Sequence, residues 1–358
     1  MNEWIEIDGS MGEGGGQVLR TSLTLSLVTG KPFHLANIRS RRAKPGLQPQ
    51  HLASVKAAAG VGQADVTGNT QGSAELIFHP QKIRSGTYHF DIGTAGATSL
   101  VLQTILLPLS LADKTSTVSL TGGTHVPWSP CFHYLDLHWG PYLQAAGMNF
   151  KLSLEKAGFY PQGGGVVRAS VRPAGQIQSL QLIERGALLR IVGISAVANL
   201  DEDIATRQKH QALRRLEPLC RDTKIKNIPL PSPGKGTFIL LLAEFEHAHA
   251  CYVALGEKGK PAERVADEAC DGLQAMLNSC AGIDEYLADQ LLLPLALAQG
   301  ISELATPRLT RHLLTNAEVI RKFLPVEITI QGELDEQGWI RISPNQKYLK
   351  DNLLKGIP

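Results

Sequence analysis

The chain has no Cys-x-x-Cys pair, almost no net charge and no unbroken apolar run of membrane-spanning length, and each shortage removes a class of function. Its five cysteines, Cys131, Cys220, Cys251, Cys270 and Cys280, are scattered and odd in number. That spacing supports neither a zinc ribbon nor a redox motif and reads as reduced thiols in a cytosolic protein. A net charge of +2, with a lean 19% of charged residues, excludes an overall polycation. Contact with nucleic acid would have to rest on a local basic patch. The longest apolar stretch, Leu287–Ala298, is broken by Asp289, Gln290 and Pro294, so no membrane span is expected. Met1–Asp8 carries three acids and no apolar run, so no signal peptide is expected there. These absences together point to a cytoplasmic location.

What is present is enough for more than one core. At 358 residues the chain calls for two domains or one elaborated domain. Short strands alternate with helices, which argues for an α/β or α+β fold. Trp4–Asp8 alternates like a strand, a glycine loop comes next, and a helix is expected from about Gln17 to Val28, closed by Gly30 and Pro32. Phe33–Ile38 reads as a strand and His51–Ala59 as a helix.

Two internal echoes suggest duplication. Leu106-Leu107-Pro108-Leu109, with Leu111-Ala112, recurs as Leu292-Leu293-Pro294-Leu295, with Leu297-Ala298. Gly14-Gly15-Gly16 recurs as Gly163-Gly164-Gly165. The expectation is a body of related helix-and-sheet modules, with chance among leucine-rich helices the alternative for the first echo. Between Glu184 and Ala281 the texture changes to a strand (Leu188–Ala198), a charged helix (Asp201–Leu216), a proline-rich loop, two strands and a helix from Pro261. This stretch contains no echo and reads as an inserted small α/β domain.

Four segments carry chemistry. Gly12-Glu13-Gly14-Gly15-Gly16-Gln17 lies between a strand and a helix, where glycines let backbone N–H groups approach an anion. It completes neither the Walker A nor the dinucleotide fingerprint, and a simple tight turn would account for the same residues. Glu13 would repel phosphate unless a cation such as magnesium bridged the two. The run from Arg39 to Gly46 places four cations within six residues of a loop, suited to gripping phosphate or merely solvated. Gln50, His51 and Arg20 are near enough in sequence to extend that patch.

Glu285–Gln290 opens an apolar helix with a tyrosine that can stack on a purine and an aspartate that can bond a ribose or amine, or is an ordinary amphipathic start. In Thr310–Asn316, the capping-box spacing of Thr315 and Glu318 predicts a helix starting near Asn316 and ending before Pro325. His312 then falls in a non-helical segment just upstream, where the helix dipole, Arg308 and Arg311 disfavour imidazolium. A neutral imidazole is what attack on phosphorus requires, but among eleven histidines the run alone does not single this one out.

Taken together and in order, GEGGGQ at Gly12–Gln17, RAKPG at Arg42–Gly46, YLADQ at Tyr286–Gln290 and HLLTN at His312–Asn316 resemble the RNA 3′-terminal phosphate cyclase family. The likeness extends through Asp8–Arg20, Arg39–His51, Phe90–Gln103 and Gly158–Pro161 with the second glycine run. It implies an α+β fold: repeated helix-and-sheet units resembling the C-terminal domain of translation initiation factor 3, with an inserted small α/β domain. Residues 1–183 and 282–343 would form the catalytic body, 184–281 the insert and 344–358 a C-terminal tail.

The resemblance implies that His312 attacks ATP to form a covalent histidine–AMP. AMP then passes to an RNA 3′-phosphate, and the neighbouring 2′-hydroxyl closes a 2′,3′-cyclic phosphate. It further implies that Gln103, Pro130 and Tyr286, Leu287, Ala288, Asp289 and Gln290 hold ATP. Arg20, Arg39, Arg42, Gln50 and His51 would bind phosphates of ATP or RNA, and Glu13 would help place Mg2+ or Mn2+. The implied partner is RNA with a 3′-terminal phosphate, a homodimer being admitted and a membrane not. The chain departs from the family pattern at His125, Cys131 and His133. The family also contains non-catalytic relatives that bind RNA in ribosome assembly, and His312 argues against that alternative.

Overall fold

The computed structural model describes residues 4–353. Its first unit comprises β1 (Ile5–Asp8), α1 (Gly16–Thr29), β2 (Phe33–Ala36), α2 (Pro49–Gly62), β3 (Asp65–Thr67) and β4 (Leu76–His79). The sheet order is β1-β2-β4-β3, with β1 parallel to β2 and the other two pairings antiparallel. The second unit runs β5 (Thr87–Asp91), α3 (Thr98–Ser110), β6 (Ser116–Gly122), α4 (Phe132–Tyr134), a π-helical turn (Leu135–Trp139), α5 (Gly140–Ala145), β7 (Asn149–Lys156) and β8 (Gly165–Arg172). Its sheet, β5-β6-β8-β7, repeats the order and sense of the first.

The third unit opens with β9 (Gln181–Leu182) and is then interrupted by β10 (Leu188–Ala198), α6 (Glu202–Leu216), β11 (Thr223–Pro229), β12 (Gly236–Phe245), β13 (His249–Leu255) and α7 (Ala262–Leu277). It resumes with α8 (Glu285–Leu295), β14 (Ser302–Thr306), α9 (Arg311–Phe323), β15 (Val326–Gln331) and β16 (Gly338–Pro344). Read from β9, the sheet order β9-β14-β16-β15 is the same pattern a third time. This is a mixed architecture of small four-stranded sheets and helices, compatible with an α+β class.

The leucine-proline echo marks equivalent positions, because Pro108 and Pro294 both lie in the last turn of the first crossover helix of their units, α3 and α8. The glycine echo does not. Gly14–Gly16 leads into a helix, whereas Gly163–Gly165 leads into β8, so the second repeat expected from sequence has no structural counterpart. The intervening segment forms its own sheet, β11-β10-β12-β13, and its own apolar cluster around Ile191, Ile239, Leu241 and Leu273. One of its strands, β11, is not among those expected from the sequence, and it ends at Pro229, the first proline of the expected proline-rich loop. The strand lies at the sheet edge, where a proline leaves no central ladder bond unmade.

Helix α1 sits at the centre, against α2, α3 and α9. Its sequence tolerates burial on several sides because its hydroxyls bond inward. Ser22 Oγ donates to Val18 O at 2.7 Å, and Thr24 Oγ1 lies 2.8 Å from Thr104 O on α3. Leu23 and Leu25 are fully buried, each contributing about 1.5–3 kcal/mol of apolar transfer. After β16 the chain forms α10 (Gln346–Tyr348) and a π-helical turn (Leu349–Leu353), with Leu349 buried and Gln346 Nε2 donating to Ala298 O at 3.0 Å. The expected tail from 344 thus starts at the end of β16 and docks; residues 354–358 lie outside the described residues. No helix among the described residues is long and apolar enough to cross a membrane.

Candidate active site

The loop between β1 and α1 meets the first turn of α9, and a cavity of about 1400 Å³ opens beside them. Helix α9 begins at Arg311, not near Asn316. Thr310 is its N-cap and accepts from the Leu313 N–H at 3.1 Å, while Thr315 turns its hydroxyl back to Arg311 O at 2.7 Å. His312 is therefore in the first helical turn, and its side chain is half exposed to the cavity. The same Thr315 hydroxyl receives the Glu13 N–H at 3.3 Å, pinning the glycine loop to α9.

The glycines admit side chains as much as any ligand. A Cβ on Gly15 would lie 3.1 Å from an Arg42 nitrogen, and one on Gly16 would lie 2.4 Å from His51 Nε2 and 3.0 Å from an Arg20 nitrogen. The Arg42, Arg20 and His51 side chains thus lie close against the loop and the N-terminus of α1, where the helix's free N–H groups also favour an anion. Gly12 carries φ +54°, and a Cβ there would fall 2.0 Å from Thr315 Oγ1. Gly12→Ala is expected to push the loop off α9 and cost about 1–3 kcal/mol of stability. Urea unfolding measures this, and an unchanged midpoint would contradict it.

Around His312 the hydrogen bonds point to the ring nitrogen that carries the proton in the neutral form. Asp289 Oδ1 accepts from Gln17 Nε2 at 2.7 Å and from Asn316 Nδ2 at 3.1 Å. Asn316 is held in that orientation because its Oδ1 accepts from the Thr21 hydroxyl at 2.8 Å. Gln17 must then present its carbonyl oxygen to His312 Nδ1, 2.7 Å away. In this network Nδ1 carries the proton, and the neutral ring has its lone pair on Nε2.

Nε2 lies 2.6 Å from Glu13 Oε2, but not in line with a ring N–H, so this buried oxygen has no well-aligned donor. The other Glu13 oxygen pairs with Arg42. The carboxyl is held at about 2, by His312 first and then Arg42, against a burial that pushes it up. Glu13 and then Asp289 correspondingly raise His312 above its ordinary 6.5, against burial and Arg20. The sequence argues the opposite sign from the helix dipole and two arginines, and the direct carboxylate contact outweighs them.

The remaining sequence candidates divide. Arg20, pushed down to about 10 by burial and supported by Asp289 and Glu13, stays a cation at neutral pH. His51 is pushed down to about 3 by burial, then by Arg20 and Arg39, so it is neutral. Its Nδ1 accepts from the Gln48 N–H at 3.1 Å, which leaves Nε2–H as the donor near the start of α1. Arg39 lines the cavity but also braces its own loop, donating to Lys44 O at 2.5 Å and Gly46 O at 3.3 Å. Gln50 Oε1 accepts from the Ala97 N–H at 3.2 Å on the cavity wall.

Across the cavity, Gln103 Nε2 donates to Gln290 Oε1 at 2.5 Å, and Tyr286 is half exposed. Pro130 lies on the same lining. Leu287 and Ala288 do not reach the cavity. They are fully buried in the core, because the helical period sends Tyr286, Asp289 and Gln290 one way and these two the other. His125 and His133, the departures from the pattern, form a partly buried pair behind the wall. Their rings meet at 2.8 Å, His125 stacks on Phe159 and Phe238, and burial pushes His133 down to about 4 and His125 down as well. Sequence reasoning misses Gln17, Asn316 and Thr21 as parts of the site. Gln17 registers there only as the residue that spoils a dinucleotide fingerprint.

The cavity can hold a nucleotide-sized anion between a cationic wall and a polar, aromatic wall, with His312 on its lining. A family model described as RNA 3′-terminal phosphate cyclase matches residues 11–330. A protein of that name from Ralstonia nicotianae is 46% identical over 332 residues, covering 92% of this chain and 94% of its own. One from Gloeothece citriformis is 42% identical over 342 residues, covering 92% and 96%. One from Methanopyrus kandleri is 40% identical over 350 residues, covering 95% and 99%.

Proposed function

The chain belongs to the RNA 3′-terminal phosphate cyclase family of enzymes, and from that premise we propose that it converts an RNA 3′-phosphate into a 2′,3′-cyclic phosphate at the expense of ATP, through a covalent adduct on His312. The observation that carries this reading is the setting of His312 on a cation-lined cavity: Nδ1 bound to Gln17, and Nε2 beside the Glu13 carboxylate. Nε2 attacks the α-phosphorus of ATP, the bond to the bridging oxygen breaks, and pyrophosphate leaves. The Nδ1 proton stays on the ring and the Gln17 oxygen supports the positive charge that develops there.

An oxygen of the RNA 3′-phosphate then attacks the same phosphorus, the N–P bond breaks, and His312 returns to its starting state. The 2′-hydroxyl finally attacks the 3′-phosphorus, loses its proton and expels AMP. A phosphate monoester is a poor electrophile. The anhydride supplies the leaving group, and the adjacent hydroxyl supplies a high effective molarity. Arg20 and Arg42 offset charge at the phosphates, His51 donates from Nε2, and Tyr286 with Pro130 flanks adenine while Gln103, Asp289 and Gln290 bond the nucleoside.

Among the described residues there is no cluster of three His, Cys, Asp or Glu to cage a metal. Glu13 Oε2, buried without a well-aligned donor, fits the alternative of one carboxylate ligand with phosphate oxygens completing the shell. In that position Mg2+ or Mn2+ would neutralise the leaving pyrophosphate. We further read residues 184–281 as an inserted domain and the three-unit body as akin to the C-terminal domain of translation initiation factor 3. Cytoplasmic location and a homodimer belong to the same reading.

The reading is tested by incubating the protein with Mg2+, ATP and a 3′-phosphorylated oligoribonucleotide. The expected product resists phosphatase and appears with one AMP; recovery of an unchanged 3′-phosphate across several divalent ions would refute the assignment. A pH dependence is expected as well. Since the His312 pKa is raised by Glu13, the neutral nucleophile is gained as pH climbs past a value above 6.5. Adenylation should therefore rise through that range. Glu13→Gln removes the raising contact, so the acid limb should move to lower pH while the Mg2+ requirement increases. A pH profile and metal titration indistinguishable from wild type would refute both.

A further inference from the structure

Trp128 is 99% exposed, the most solvent-facing of the large apolar side chains described, and it stands on the rim of the cavity close in sequence to Pro130. Its backbone is left-handed, at φ +63°, a conformation that a bulky aromatic residue rarely adopts. The turn that carries it is firmly tied. The Thr124 and His125 N–H groups both donate to Gly158 O, at 2.8 and 3.1 Å, and the Phe132 N–H returns to Thr124 O at 2.9 Å. Val126 is buried against Ala97 and Leu100, Ser129 Oγ donates to Val126 O at 3.1 Å, and Pro127 and Pro130 flank the tip. A well-anchored turn thus holds an indole out in water, at a strained angle, beside the cavity where the RNA end reacts.

We propose that Trp128 is the stacking platform for a base of the RNA substrate, one immediately upstream of the terminal phosphate. The inference rests on the reading of the cavity given above, which already assigns adenine to Tyr286 and Pro130. An RNA end whose phosphate reaches His312 must leave the cavity past its rim, and its bases there are single-stranded and unstacked. Every base has a π-face, so an indole platform strengthens binding without choosing a sequence. The anchored backbone of the turn lowers the ordering cost when the RNA arrives. A second exposed aromatic, Tyr160, stands on the loop to which this turn is bonded.

The experiment separates the two substrates. RNA-independent labelling of the protein by α-labelled ATP is expected at the wild-type rate in Trp128→Ala. The KM for a 3′-phosphorylated oligoribonucleotide is expected to rise by about ten-fold, the size of one base–aromatic stack, with kcat at saturation kept and Trp128→Tyr recovering most of the loss. An unchanged RNA KM overturns the proposal, and so does a rise in the ATP requirement for labelling, which would place the indole over adenine instead. Binding is read independently: the 3′-phosphorylated oligomer should quench tryptophan fluorescence in the wild type and not in Trp128→Phe. Quenching that survives in Trp128→Phe overturns the platform. If the wild type binds and quenches but forms no cyclic phosphate, the functional reading fails while the platform stands.

Discussion

His312→Ala is expected to take no label from α-labelled ATP, a loss on the order of 10⁴-fold or more, because among the described residues of the cavity no second imidazole offers an uncommitted lone pair. The glycine loop and the start of α1 bring Gln17 to Nδ1 and Glu13 to Nε2, on the lining of the cavity. Neither Arg20 nor Arg42 can replace it, since a guanidinium offers donors and no lone pair. His51 is neutral and sits nearby, but its lone pair is consumed by the Gln48 N–H. The wild-type label should be lost in acid and kept in alkali, as a phosphoramidate is. Labelling of the alanine variant at wild-type level would remove His312 from the mechanism and turn attention to a purely RNA-binding role. The complementary measurement supplies pre-adenylated RNA. Since cyclisation needs no further adduct, His312→Ala should retain that step, and its loss would show that the imidazole also serves the 2′-hydroxyl.

How far the sequence can be read depends on the range of the interaction concerned. Strand β1, the glycine loop and α1 arise from local alternation, glycine and capping, and their observed bounds differ from the expected ones by a residue or so. The repeated unit is visible through Pro108 and Pro294 because a proline in the last turn marks one topological position. The two glycine runs look equally alike, yet one opens a helix and the other a strand, since glycine permits a turn without dictating the element beyond it.

From sequence, helix α9 starts too late because Thr315 and Glu318 match a capping box. Thr310, with no acid three residues on, is the real cap. Starting there lets Leu313, with Ala317 and Ile320, bury a continuous apolar stripe. The protonation of His312 is misread for a similar reason. The dipole and nearby arginines are legible in the local sequence, whereas Glu13 is brought against the ring by the fold. Gln17 contacts His312 across 295 residues, and no local pattern encodes that.

That long-range contact makes Gln17 the second position where a large effect is expected. In Gln17→Leu the Nδ1 proton loses its acceptor and Asp289 loses a donor, so the ring can rotate and the proton can move to Nε2, which abolishes the lone pair needed for attack. Adenylation should fall by about 10- to 100-fold, as when a group orienting a reactive histidine is removed. The fall should lie in the rate and not in the ATP requirement, because Gln17 is proposed to touch the imidazole and not the nucleotide.

Gln17→Glu discriminates this from simple packing damage. The glutamate keeps an acceptor for Nδ1–H, so the tautomer survives, but it sets a second carboxylate where the amide nitrogen stood 2.7 Å from Asp289 Oδ1. Asp289, whose pKa burial already raises, is the group placed to take the proton that relieves this contact. An added negative charge beside His312 raises the imidazole pKa further, so the neutral form is gained only at higher pH. The rate of Gln17→Glu should approach wild type on the alkaline side and fall more steeply below neutrality. That of Gln17→Leu should be depressed across the whole range. Identical pH profiles for the two variants would mean that Gln17 fills space and does not hold the proton on Nδ1.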